Sequence, residues 1–234
     1  MATQYVKKLC IEMPLEFPAA EFDTFMDHTG KVLIPQGDAQ VQLGGTPNII
    51  GFRFRQAAES LKDFSASWNE YGDAHATHEV LYQRDRALFG FFSAGVSCIE
   101  ATCYAIYAVA SDPNTLGVPF GSKEQRKASP AQLRAALSKG PSTKVAALLA
   151  TLDTLEASSE WETWVSFRNR QSHRSNLPRV ITAVIGAPLP PTPPIHLAAT
   201  SSTKAFAGSV EDLEGLLAWL AATQKALLVG GTEL

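Results

Sequence analysis

One short segment of this sequence collects side chains that suit chemistry at a phosphate group. The run from Phe167 to Arg174 reads Phe-Arg-Asn-Arg-Gln-Ser-His-Arg. An arginine guanidinium carries a fixed positive charge on a planar fork that matches phosphate oxygens. A histidine imidazole gives or takes a proton near neutral pH, and an asparagine amide donates to an oxygen or holds the histidine tautomer. These groups suit metal-independent RNA cleavage, in which the 2′-hydroxyl attacks the adjacent phosphate and arginine stabilises the developing charge.

The spacing of these residues distributes them around a helix. Asn169 and His173 are four residues apart and share a face. Arg168 and His173 are five apart, which separates them by about 140° around the helix axis. Arg168 must therefore reach around the helix, or a neighbouring chain must complete the site. Arg170 and Arg174 are again four apart and form a basic edge that would hold flanking phosphates.

A structural role for the same segment is the alternative interpretation. Arginines near the carboxyl end of a helix are favoured by the helix dipole whatever the protein does. Ten arginines and five histidines in 234 residues give about 0.2 chance pairs at any one spacing. The residue types and spacing alone therefore do not establish a site.

A lone acidic residue lies in the most apolar part of the chain. Glu100 is near the middle of Ala87–Ala110, and a carboxylate in such surroundings needs a partner. Two interpretations stay open: Glu100 orients Arg168 or His173 from across the bundle, or it forms an ordinary ion pair with another arginine or lies on an exposed strip of the helix. The same acid makes a membrane crossing costly, so this stretch is interpreted as a buried core helix.

Composition restricts the classes of function. The 234 residues are 45% hydrophobic and 18% charged, as in a globular protein. Twenty basic and 23 acidic side chains give a net charge of −3, so any RNA site must be a local patch rather than a global cationic field.

The three cysteines and the amino terminus suggest a reducing compartment. Cys10, Cys98 and Cys103 form no Cys-x-x-Cys pair, so we expect reduced, buried thiols and neither a metal centre nor another cofactor. Residues 1–12 lack the apolar stretch of a secretion signal. These observations predict a cytoplasmic protein without a membrane span.

Helical periodicity predicts a mainly α protein. Residues 76–234 are expected to form an antiparallel, up-and-down four-helix bundle with a proline-rich connector at 187–202. Its helices are predicted at about 79–110, 143–156, 159–175 and 209–229. Small residues along the first of these would let another helix approach closely, in this chain or in a second copy.

Residues 1–75 are expected to form a small, irregular N-terminal extension. Lys31–Pro35 and Ala39–Leu43 are β-prone runs that we expect to pair as a hairpin. Turn-forming residues at Gly44–Pro47 end that segment, and Phe52–Trp68 has the period of one helix.

The motif Arg168-Asn169-x-x-x-His173 resembles that of the HEPN superfamily. It lies on the third helix of a predicted four-helix unit led by a long apolar helix, and the resemblance covers roughly residues 79–229. It implies an α-bundle that dimerises and brings two copies of the motif into one cleft. Many members are ribonucleases of toxin–antitoxin, abortive-infection or other defence systems, whereas others have lost activity and serve as assembly or nucleotide-binding modules.

Two functional hypotheses follow from the residues and the resemblance together. The first is a homodimeric, metal-independent endoribonuclease in which Arg168, Asn169 and His173 are catalytic. The second is a non-catalytic dimeric module of HEPN type that binds a nucleotide or a protein partner. The partners expected are RNA or a nucleotide, a second copy of the chain, and an antitoxin or other protein.

Overall fold

The protein is mainly α-helical, as the apolar periodicity predicts. The computed structural model describes residues 2–31, 38–72, 77–140, 142–173, 195–197 and 206–234. Those residues form two small antiparallel sheets and eight helices. The helices are α1 (Ala19–Thr29), α2 (Asp38–Tyr71), α3 (His78–Ala110), α4 (Ser122–Gln125), α5 (Pro130–Leu137), α6 (Ser142–Ala157), α7 (Ser159–His173) and α8 (Val210–Thr232).

The central helix, α3, confirms the predicted long apolar helix. It begins after Thr77, whose hydroxyl accepts the Val80 amide hydrogen at 3.3 Å. In the described structure α3 is the one helix long and apolar enough to cross a membrane, and 61% of its most apolar stretch is buried inside the protein. That burial agrees with the interpretation as a core helix, because α3 is in contact with α2, α5, α7 and α8.

Helix α2 runs antiparallel to α3 along much of its length. Arg84 of α3 donates to the Ser67 hydroxyl at 3.1 Å, near one end of the pair. Further along, Gly90 faces Ser60 so closely that a Cβ atom would lie 2.5 Å from the hydroxyl oxygen. The predicted small residues of α3 therefore do admit a neighbouring helix of the same chain.

The predicted hairpin and turn between residues 31 and 47 are wrong where the structure describes them. Ala39–Leu43 and Gly44–Pro47 are both part of α2, which begins well before the predicted start at Phe52. Of the other predicted strand, Lys31–Pro35, the structure describes only Lys31. A proline inside a helix costs about 3 kcal/mol. Burial of Thr46 and Ile50 on either side of Pro47 shows that tertiary packing outweighs those local signals.

A hairpin does exist in the N-terminal region, but nearer the start of the chain. Strands β1 (Thr3–Val6) and β2 (Ile11–Pro14) pair antiparallel. The side-chain amide of Gln4 donates to the backbone carbonyls of Pro14, Leu15 and Phe17 at 3.1, 3.1 and 2.8 Å. These hydrogen bonds connect the hairpin to the segment that follows it.

Helix α1 was not expected from the sequence and anchors the N-terminal region to the core. Its Phe22 and Phe25 are fully buried. A Cβ atom at Gly231 of α8 would lie 2.8 Å from the Phe25 ring, so α1 and α8 approach closely. The predicted boundary between the N-terminal extension and the helical bundle, at residue 75, falls between α2 and α3. One hydrophobic core includes residues from both sides of this boundary. The division into an extension and a bundle stays a prediction.

The C-terminal helices agree with the predicted order. Ser129 caps α5 with Pro130 in its first turn, and Ser209 forms a capping box with Asp212 at the start of α8. Within the predicted connector 187–202, β3 (Ile195–Leu197) pairs with β4 (Phe206–Gly208). The rest of that connector lies outside the described residues.

A buried polar cluster joins α8 to α3. Gln224 donates to the Thr102 hydroxyl at 2.6 Å, and that hydroxyl donates to the Cys98 carbonyl at 2.9 Å. All three side chains are fully buried. A satisfied polar contact inside an apolar interface favours one register, so this cluster helps to specify how α8 docks.

Candidate functional site

Helix α7 carries the candidate motif and is anchored to α3 by aromatic packing. The Ser158 hydroxyl accepts the Trp161 amide hydrogen at 3.1 Å and caps the helix. Phe167 stacks on Phe92 with ring centroids 4.3 Å apart and an interplanar angle of 14°. The residue next to Phe167 is Arg168, so this stack fixes the backbone from which Arg168 extends.

A close approach between Trp164 and Gly95 brings the two helices together. The indole is 1% exposed, and its six-membered ring lies where a Cβ atom on Gly95 would be. Phe91 contacts the same indole with a centroid separation of 4.4 Å. Trp164 is therefore a core residue rather than a surface for stacking bases.

The aromatic packing brings Arg168 to Glu100. Arg168 Nη2 donates to Glu100 Oε1 at 3.3 Å, between α7 and α3. The two side chains are 29% and 35% exposed, so the pair sits at the edge of the core. Of the two partners that the sequence suggested for Glu100, the structure shows Arg168.

The contact with Glu100 leaves part of the guanidinium available. Arg168 Nε is buried and has no hydrogen-bond partner in the part of the chain that the structure describes. Nη2 is the nitrogen engaged by the carboxylate. Because the carboxylate binds Arg168 through Nη2 and the side chain is still partly exposed, the other amino group of the guanidinium can bind an anion while the ion pair fixes the side-chain orientation.

The two residues after Arg168 have different environments. Asn169 is exposed, which leaves its amide accessible to a ligand. Arg170 is half-buried, and burial lowers its pKa from the ordinary arginine value, although a guanidinium stays charged at any physiological pH. Asn169 and Arg170 therefore differ in how readily a substrate would reach them.

The histidine end of the motif is described by its backbone alone. His173 is the last residue of α7, so Arg168, Asn169 and His173 do lie on one helix, as the sequence predicts. The position of the His173 side chain lies outside the described residues, and so does Arg174.

The thiols are not part of the candidate chemistry. Cys98 and Cys103 are fully buried, and burial raises the pKa of both, with Glu100 and Glu156 adding to the effect at Cys103. Cys10, in contrast to the expectation of buried thiols, is exposed beside β2. A thiol with a raised pKa is a poor nucleophile and a poor metal ligand at neutral pH.

Two surface grooves lie away from α7. One, of about 260 Å³, is between α1 and α8, and another, of about 390 Å³, is between α6 and α8. The sequence-predicted site residues line neither of them. The candidate site therefore does not coincide with either of these two grooves.

Sequence reasoning missed how closely the Phe91-Phe92 pair and Gly95 determine the position of Arg168. The signal was present as two adjacent aromatic residues followed within one turn by a glycine, but the partner helix cannot be identified from that pattern.

Comparison with protein-family models, with curated proteins and with solved structures gives no significant match.

Proposed function

We propose that this protein is a metal-independent endoribonuclease of HEPN type that acts as a homodimer. The observation that carries the proposal is the pairing of Arg168 with Glu100. That contact holds a partly exposed guanidinium at the surface of the helix that also contains Asn169 and His173. A positioned cation near a general acid or base is the arrangement that phosphodiester cleavage requires.

The proposed reaction uses the RNA's own 2′-hydroxyl as nucleophile. Its oxygen forms a bond to the adjacent phosphorus atom, and the bond from phosphorus to the 5′-oxygen breaks. The products are a 2′,3′-cyclic phosphate and a 5′-hydroxyl. In this scheme His173 takes the proton from the 2′-hydroxyl or gives one to the leaving 5′-oxygen, Arg168 stabilises the charge on the phosphate oxygens, and Asn169 positions one of them.

The bundle proposed for this activity consists of α3, α6, α7 and α8. A homodimer would solve the geometric problem posed by the motif, because residues five apart on a helix point about 140° from each other. A second copy of α7 would place one chain's histidine near the other chain's arginine. Arg170 and Arg174 would then hold the phosphates on either side.

The test is cleavage of mixed RNA in EDTA by purified protein and matched variants. We expect Arg168→Ala and His173→Ala to lower the rate at least about 100-fold, as loss of a group that stabilises the transition state does. Arg53→Ala and His78→Ala remove an exposed arginine and an exposed histidine elsewhere, and should retain the rate. Equal rates in all four variants would contradict the proposal, provided that circular dichroism shows each to be folded.

The second candidate is a non-catalytic dimeric module of HEPN type that binds a nucleotide or a protein partner. The observation favouring it is the same ion pair, because Glu100 already neutralises Arg168 as it would in a structural contact. Nucleotide binding that Arg168→Ala abolishes, without turnover of any RNA, would support this function instead. A role in defence, with an antitoxin as partner, is proposed on the resemblance alone.

A further inference from the structure

An aromatic pair lies on α3 one helical turn beyond the ion pair. Tyr104 is four residues after Glu100 and therefore on the same face of the helix. Its ring meets the Phe120 ring edge-on, with centroids 5.1 Å apart, and Phe120 also contacts Tyr107 at 4.7 Å. Tyr104 and Phe120 are both half-buried, so each residue is partly exposed to solvent.

Three cations lie on the segment that directly follows Phe120 in the chain. Lys123, Arg126 and Lys127 lie in or directly after α4, and all three are exposed. None forms an ion pair with any residue that the structure describes. The one acid among them, Glu124, is engaged by the Gly121 amide hydrogen at 3.1 Å. The segment thus offers three positive charges against one negative charge, in a protein whose net charge is −3.

We propose that this surface binds the single-stranded RNA that flanks the phosphate at Arg168. We call it the α4 patch, and its members are Tyr104, Phe120, Lys123, Arg126 and Lys127. The inference rests on the proposed function for the chemistry at Arg168 and adds a substrate-binding site that the Arg-x4-His motif does not contain.

The chemistry of the α4 patch matches a single strand better than a duplex. Partly exposed aromatic rings accept an unstacked base of any identity, and neighbouring cations accept the phosphates on either side. Bases in a duplex are already stacked and present no free face. Tyr104 and Glu100 are about 6 Å apart along the axis of α3. We therefore infer that a strand with one phosphate at Arg168 extends towards the patch.

The experiment measures binding of a short, fluorescently labelled oligouridine by anisotropy over a series of salt concentrations. All proteins carry His173→Ala, so that the RNA stays intact. The test variant is Lys123→Ala/Arg126→Ala/Lys127→Ala. The control, Lys7→Ala/Lys31→Ala/Lys62→Ala, removes three exposed cations and therefore the same charge from other parts of the surface.

We expect the test variant to bind about tenfold more weakly or worse, and the control to bind within about twofold of the parent. The slope of log affinity against log salt should fall by about 2 in the test variant, because each lost contact with a single strand contributes about 0.7. Phe120→Leu keeps an apolar side chain against Tyr107 and removes the aromatic ring. It should weaken binding about fivefold to tenfold without changing the slope.

Two results would overturn the α4 patch: no measurable binding by the parent, or equal losses in the test and control variants. In the second case an acidic protein partner becomes the better explanation of the exposed cations. Cleavage of RNA by the unsubstituted protein is scored separately. Cleavage without patch-dependent binding would refute the α4 patch but support the nuclease proposal. Patch-dependent binding without cleavage would support the α4 patch but refute the nuclease proposal.

Discussion

The Glu100 carboxylate and the Arg168 guanidinium meet across the interface between α3 and α7, with Oε1 and Nη2 3.3 Å apart. Glu100 is the acidic residue within the apolar half of α3, and Arg168 opens the candidate motif on α7. One contact therefore connects the core helix to the residue that would stabilise charge in the proposed reaction.

The ion pair should contribute little to stability and more to activity. Both side chains are about one-third exposed, so a double-mutant cycle of Glu100→Gln and Arg168→Gln should give a coupling energy of about 0.5–1 kcal/mol in urea unfolding. Glu100→Gln alone should slow RNA cleavage less than Arg168→Ala does, because it acts through Arg168. A coupling near zero, with cleavage unchanged in Glu100→Gln, would show that the contact positions nothing.

The close packing of Trp164 on Gly95 predicts that one methyl group added at Gly95 lowers the stability of the protein. Gly95→Ala puts a Cβ atom inside the volume of the indole and should destabilise the protein by about 1–3 kcal/mol. Gly215→Ala is the matched control, because Gly215 is exposed on α8 with no atom near its added methyl group. The control should instead stabilise by about 0.5–1 kcal/mol. Equal effects of the two substitutions on the urea midpoint would mean that α7 does not dock on α3 as described.

Arg84 should not tolerate replacement by lysine. Its guanidinium donates to the Ser67 hydroxyl, the Ser67 carbonyl and the Gly72 carbonyl, and lies 4.8 Å from the Trp68 ring centroid. An ammonium group keeps the charge but loses the planar fork, so Arg84→Lys should cost about 1–3 kcal/mol in thermal or urea unfolding. The same replacement at exposed Arg86 on α3 should change stability by less than about 0.5 kcal/mol.

The three thiols should differ in reactivity. Cys10 is exposed, whereas Cys98 and Cys103 are buried and burial raises their pKa. A thiol reagent added to the native protein at neutral pH should label one cysteine quickly and the other two only after denaturation. Cys10→Ser should remove the fast phase; rapid labelling of two or three sites would show that α3 is not buried as described.

The sequence predicted the helices whose apolar residues repeat over several turns and failed where local signals compete with packing. The α3, α6, α7 and α8 helices have a clear apolar period, so their positions agree with prediction. The glycines and proline of Gly44–Pro47 favour a turn in isolation. In the folded chain the same residues continue α2, where burial of Thr46 and Ile50 outweighs the local preference.

The candidate site was predictable in its residues and only partly in its geometry. Placing Arg168, Asn169 and His173 on one helix needs only the helical period. Identifying Arg168 as a partner of Glu100 needs the packing of Trp164 and Phe167 on α3, which involves residues distant in sequence. The α4 patch escaped prediction because Tyr104 and Phe120 meet only after α3 ends and the chain turns back.

The most direct test of the nuclease is the chemical nature of the ends that it leaves on RNA in EDTA. Mass spectrometry of a defined oligonucleotide after incubation should show fragments ending in a 2′,3′-cyclic phosphate paired with fragments beginning in a 5′-hydroxyl, and His173→Ala should produce neither. Fragments with a 5′-phosphate and a 3′-hydroxyl, or fragments that the His173→Ala protein also yields, would contradict the proposed attack by the 2′-hydroxyl and the assignment of Arg168 and His173.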